Sequence, residues 1–206
     1  MNSRTRKRRG LITGVVAAIM IVVVSGCAAF QNAAEQIEEA LKGRSLTMTT
    51  FATDGQVIDQ VNGKSMRIAR DTTFDSTDSA GGSNADSSVL MISIGDNHIR
   101  HVGSTLIAAE QGLTTVAGPG TINLTNVKPG MPWLNDFIEV NRNLWKGKGK
   151  TILIRSQFDK PLAVYAGDAV EIFATDVPKT TRFRVDGKVL VVYRANYTVY
   201  DNELLQ

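Results

Sequence analysis

One cysteine, two histidines and two tryptophans in 206 residues exclude several chemistries at once. A single thiol allows no internal disulfide and no cysteine-built zinc or iron–sulfur centre. His98 and His101 stand in a stretch that reads as a strand, where a spacing of three sends side chains to opposite faces, so no shared metal ion is expected. No Gly-x-Ser-x-Gly elbow and no Ser-x-x-Lys occurs, which removes two serine-nucleophile classes. Gly63-Lys64-Ser65 and Gly149-Lys150-Thr151 end like phosphate-binding loops, but Ile58 and Leu144 stand where the motif needs its first glycine. No cofactor is expected.

Acidic residues are missing before Cys27, and this decides how the net charge of +3 is read. Five of the 23 basic residues are Arg4, Arg6, Lys7, Arg8 and Arg9; without residues 1–26 there remain 18 against 20 acidic, a net of −2. A nucleic-acid partner, which calls for a basic domain or stripe, is not expected.

What is present begins with that basic end. Residues 11–24, LITGVVAAIMIVVV, form an apolar run, followed by Ser25, Gly26 and Cys27. A basic segment, a short apolar run and small residues at its exit make a secretory signal. Val24-Ser25-Gly26-Cys27 has the pattern of a lipobox, with cleavage between Gly26 and Cys27 and a diacylglyceryl group on the Cys27 thiol. Two acyl chains give lasting attachment where one binds only marginally. The alternative is an uncleaved span over residues 11–30, and a lone cysteine at this place favours the lipoprotein. Both readings keep the basic end in the cytoplasm and the domain outside. Arg8-Arg9 resembles part of a twin-arginine signal, but Lys7 departs from that motif, and general secretion is preferred. The expected location is the outer face of the cytoplasmic membrane.

Three segments follow: a signal at 1–26, a lipidated N-terminus and helix at 27–44, and one β-rich domain at 45–206. Residues 28–42 have strong helix propensity, with Phe30, Ala34, Ile37 and Leu41 on one face and Gly43 as the C-cap. Three strands are expected over 45–70, with turns at Asp54-Gly55 and Asn62-Gly63. Residues 71–88 read as a mobile polar loop, whose Asp71, Asp75, Asp78, Asn84 and Asp86 lack the spacing of a calcium loop. Further strands are expected at 89–94, 98–103, 104–110, 121–127, 151–157, 162–166 and 169–174. An Asp186-Gly187 hairpin over 182–193 and a last strand at 195–200 complete the set. A helix beginning at Pro132 carries Trp133, Phe137, Val140 and Leu144 on one face. The fold class is mainly β, an antiparallel barrel or sandwich with an N-terminal helix and one more.

Several stretches carry a resemblance: Ser88-Val89-Leu90, His101-Val102-Gly103-Ser104-Thr105, Ile154-Arg155-Ser156-Gln157, Val177-Pro178-Lys179, Val185-Asp186-Gly187-Lys188, Val192-Tyr193-Arg194 and Tyr197-Thr198-Val199-Tyr200-Asp201. The chain resembles a family of Gram-positive lipoproteins classed as a domain of unknown function. That resemblance implies a surface lipoprotein and carries over no functional residue.

The local contact candidate is Arg142, Lys146, Lys148 and Lys150 beside Trp145, a basic cluster suited to anionic headgroups or an anionic wall polymer. A helix C-terminus that attracts cations explains the same cluster without a ligand. The expectation is a lipid-anchored binding or accessory module, its partners the membrane through Cys27 and an envelope protein or polymer. A carboxylate-dependent glycan hydrolase and a passive structural protein are the alternatives.

Overall fold

The computed structural model describes residues 39–113, 115–118 and 147–205. Among them run thirteen strands: β1 (Ser45–Phe51), β2 (Val57–Lys64), β3 (Arg67–Arg70), β4 (Leu90–Ile94), β5 (Asn97–His101), β6 (Thr105–Glu110), β7 (Thr115–Ala117), β8 (Lys150–Arg155), β9 (Pro161–Gly167), β10 (Val170–Ala174), β11 (Thr180–Val185), β12 (Lys188–Tyr193) and β13 (Asn196–Asp201). All pairings are antiparallel.

The central layer is a six-stranded sheet in the order β10-β11-β12-β6-β1-β2. On one face Met48, Leu106, Ala108, Val189 and Val191 pack with Ile68, Leu90 and Ile92 of the three-stranded sheet β3-β4-β5. On the other, Phe51, Ile107, Leu190 and Val192 pack with Ile152, Ile154, Leu162 and Tyr165 of the four-stranded sheet β13-β8-β9-β7. This sandwiching explains β12. Its Val189-Leu190-Val191-Val192-Tyr193 run has no polar alternation because both faces of the strand are covered. β2 lies at the sheet edge and is mostly exposed, so its Val57-Ile58-Asp59-Gln60 mixture suffices. Among the described residues no sheet closes on itself, so the barrel alternative is set aside.

The turns follow their residues. Asp186 and Gly187 both have positive φ, +49° and +80°, as a two-residue hairpin loop of the right-twisted kind requires. In the β4–β5 turn only the first residue, Gly95, has a positive φ (+58°). Asn62-Gly63 does not turn. It lies inside β2 with Asn62 opposite Thr47 and Gly63 opposite Leu46, and the chain reverses after Lys64, through Ser65 at φ +55°. Gly63 serves a close approach instead: a Cβ there would sit 2.7 Å from Met66 Cε and 2.9 Å from Ile94 Cγ2.

The helix expected over 28–42 lies outside the described residues except for a last turn at 39–41. That turn docks: Leu41 is fully buried in the core under β3-β4-β5, and Gly43 leaves it at φ +77°. The strand expected at 121–127 and the helix from Pro132 also lie outside the described residues.

Residues 71–88 are more built than a mobile polar loop. A 3-10 turn (Thr72–Phe74) is capped by Asp71, whose carboxylate accepts from Thr73 N. Asp75 accepts from Ser83 Oγ and Ser87 N at 2.9 Å each and pairs with Arg70. Asp86 takes Ser76 twice, through N and Oγ. Asp78 accepts from Ala80 N and Gly82 N. The carboxylates are spent on the loop's own donors, which is why a polar sequence here gives an ordered path.

Candidate functional site

Three connections meet at one end of the stack: the β8–β9 turn, the β10–β11 turn and the β12–β13 link. Between them lies a cleft of about 740 Å³, bounded by Ile172 and Phe173 of β10, Lys179, Thr181, Arg194, Asn196, Tyr197 and Gln157.

Each connection holds a non-glycine residue in the left-handed region: Asp159 (φ +59°), Lys179 (φ +60°) and Arg194 (φ +50°). That conformation costs an L-residue roughly 1–2 kcal/mol. The surroundings impose it. Arg194 N donates to Lys179 O at 2.9 Å, and Arg194 O accepts from Thr105 Oγ1 at 2.7 Å. Asn196 Nδ2 donates to Asp159 Oδ1 at 2.9 Å. Ser156, fully buried, ties the β8–β9 turn to Thr53 O at 2.9 Å and accepts from Phe158 N and Lys160 N. Gln157 Nε2 reaches Gly103 O at 3.0 Å.

The chemistry of the cleft is lopsided. Lys179 and Arg194 line it, and among the described residues no Asp or Glu does. Arg194 Nε is buried without an acceptor, and its Nη2 reaches only Gln157 Oε1 at 3.4 Å. Apolar surface stands beside them: Tyr197, packed edge-on against Phe183 at 5.0 Å, Ile172 at 51% exposure, and Phe158 on the β8–β9 turn at 71%. The guanidinium of Arg182, the cross-strand partner of Phe173, lies 3.9 Å over its ring. Such a surface suits an acceptor-rich ligand with an apolar face.

The expected basic cluster is different. Arg142, Lys146 and Trp145 lie outside the described residues, as do Gly26 and Cys27. Lys148 and Lys150 are described, and both are matched by carboxylates. Lys148 Nζ lies 3.1 Å from Asp168 and 3.4 Å from Asp186, and Lys150 pairs with Asp201. The hydrogen bond to Asp168 holds the Lys148 ammonium above its ordinary range. Three carboxylates on two cations leave little field for an anionic surface.

The histidines separate as their spacing predicts. His98 meets Ser93 Oγ at 3.0 Å, while His101 meets Ser104 O at 3.0 Å and stands edge-on to the Tyr193 ring.

The chain matches the family described as domain of unknown function DUF5052 over residues 8–205. It belongs to that family. No curated protein and no solved structure matches it. The stretches Val177-Pro178-Lys179, Val192-Tyr193-Arg194 and the start of Tyr197–Asp201, which carry the resemblance to an uncharacterised family, meet at the cleft.

Sequence reasoning missed Lys179 and Arg194. The available signal was faint: Pro178 followed by Lys179 occupies the centre of a tight turn whose third residue usually asks for glycine or asparagine.

Proposed function

We propose that this DUF5052 protein is a lipid-anchored binding module of the cell envelope that presents the Lys179–Arg194 cleft to an acidic glycan or wall polymer. The observation that carries the reading is the cleft itself, which Lys179 and Arg194 line and which, among the described residues, no carboxylate lines. Lipid on Cys27 would hold the domain at the membrane surface and raise its effective concentration near envelope polymers. The matched region begins at residue 8 and so includes the apolar run and Cys27, which fits a leader belonging to the family pattern. The glycan-hydrolase alternative needs a carboxylate pair flanking the scissile bond, and this cleft offers none.

Two measurements test the reading separately. Metabolic labelling with a fatty-acid probe should mark the wild-type chain and not Cys27→Ser; equal label in both would refute the anchor. Co-sedimentation with a purified anionic wall polymer should weaken about tenfold in the double variant Lys179→Ala, Arg194→Ala. Replacing Lys148 and Lys150 instead should leave it within about twofold, since their charges are already matched. Equal loss in both double variants would show a general charge effect and reject the cleft.

A further inference from the structure

The Lys179–Arg194 cleft holds more than charge. Tyr197 lines it beside the two cations and is 36% exposed. Its ring stands T-shaped to the buried Phe183, centroids 5.0 Å apart and planes at 86°. Such a contact takes one edge or one face of the Tyr197 ring, so a face is left over. Thr181 Oγ1 meets the Tyr197 hydroxyl only at 3.4 Å, at the exposed surface, and both hydroxyls keep room for a further partner. Asn196 spends Nδ2 on Asp159 and keeps its side-chain oxygen as an acceptor. Ile172, half exposed, adds apolar surface to the same walls.

A string of phosphates without rings needs cations alone and gains nothing from an aromatic wall. A pyranose ring has a C–H face, which packs on an aromatic ring, and a rim of hydroxyls, which donate and accept. The cleft supplies a partner for each, and its volume of about 740 Å³ is in the range of small-ligand sites. Its place in the fold favours a polymer over a lipid headgroup. The chain enters β1 from Arg44, beside Glu110 at the end of β6. β1 then runs to Phe51, opposite Thr105, whose hydroxyl donates to Arg194 O. The seven residues of this strand separate the two ends by about 20 Å. The cleft therefore lies at the end of the sheet away from the segment that leads back to Cys27.

We propose that the cleft selects a pyranose ring bearing an acidic group, with the ring against Tyr197 and the anion on Lys179 and Arg194. The inference rests on the anionic-polymer reading above and narrows it: the sugar ring is recognised, not charge alone. Tyr197 is the residue that sets this selectivity. A uronic acid and a sugar phosphate share the chemistry.

The test uses the full-length chain in detergent micelles and measures its affinity for polygalacturonate, a phosphomannan, linear polyphosphate and dextran. At least one acidic glycan should bind about tenfold tighter per charge than polyphosphate, and dextran should bind at least about tenfold more weakly than that glycan. The tighter of the two glycans names the acidic group. Tyr197→Leu keeps apolar volume against Phe183 but removes the aromatic face. It should weaken the acidic glycan about tenfold and leave polyphosphate within about twofold, while Tyr197→Phe should bind both within about twofold of wild type. Polyphosphate or dextran binding as tightly as the acidic glycans would overturn the inference. So would a Tyr197→Leu variant that binds the glycan like wild type, or one that loses both polymers equally. In these cases the anionic-polymer reading still stands if the double variant Lys179→Ala, Arg194→Ala loses binding. No binding of any acidic polymer by the wild-type chain would overturn both.

Discussion

Arg194 and Lys179 are joined backbone to backbone, N–H to carbonyl at 2.9 Å, and both hold a positive φ. The link locks the β10–β11 turn to the β12–β13 connection, so two cations share one wall of the cleft. The strain at Lys179 gives a clean separation of stability from function. Glycine adopts this conformation freely, while alanine suffers it as lysine does. Lys179→Gly should therefore raise the urea midpoint by an amount equivalent to about 1 kcal/mol, and Lys179→Ala should leave it unchanged. Both should lose polymer binding. A Gly variant no more stable than the Ala variant would show that the turn is not strained.

Asp75 is the hub of residues 71–88, receiving Ser83 Oγ, Ser87 N and Arg70. Asp75→Ala should leave the sheets intact and open the loop. Limited proteolysis should then cut between residues 76 and 86 at least about tenfold faster than in wild type, because cleavage tracks local opening. Millimolar calcium should not slow it, since the loop's carboxylates already have protein donors. Protection by calcium would revive the metal reading of this acidic stretch.

Most of the strand order was legible, and the exceptions have physical causes. Asp186-Gly187 was legible because the hairpin needs two positive-φ residues in succession, a demand few dipeptides meet. Asn62-Gly63 has the same signature, but glycine also serves where side chains crowd, and Met66 and Ile94 crowd it here. Residues 71–88 read as solvated because composition does not show whether an aspartate bonds water or a nearby amide. The cleft was not legible at all. It depends on β12 pairing with β6, and on Tyr197 of β13, in another sheet, packing on Phe183 of β11. Lys148 and Lys150 looked like a free basic patch because Asp168, Asp186 and Asp201 reach them only in the folded chain.

Asp186 couples two hairpins, since its Oδ1 accepts Asp168 N at 2.8 Å and Ala169 N at 2.9 Å. The Ala169 N–H first, then the Asp168 N–H and Lys148, hold its carboxyl below the ordinary value of 3.8. The unfolded chain therefore takes up this proton at a higher pH than the folded one. The contribution is complete above about pH 5 and is lost as pH falls through 3.8 towards the lower folded value. Asp186→Asn should flatten that part of the acid limb. Urea midpoints at pH 6 and pH 3 should differ less in the variant than in wild type. An unchanged difference would show that Asp71, Asp75 and Asp86, lowered in the same way, carry the whole acid response.

Gly167 ends β9 against the same hairpin. A Cβ built there would lie 2.5 Å from Val185 Cγ1 and 3.2 Å from Asp186 Cγ. Val185 is fully buried and β-branched, so its rotamer cannot easily yield. Asp186 is held by its two amide bonds and cannot retreat without losing them. Gly167→Ala should therefore destabilise the domain by about 1–3 kcal/mol, the range for overpacking a filled core. Chain entropy alone would favour alanine here, since Gly167 is outside the positive-φ set. The sign of the measured change thus decides between crowding and entropy. A second substitution separates Val185 from Asp186 as the obstacle: Val185→Ala in the Gly167→Ala background should recover part of the loss if the methyl contact dominates. Failure of that rescue, with the destabilisation intact, would place the crowding on the Asp186 carboxylate.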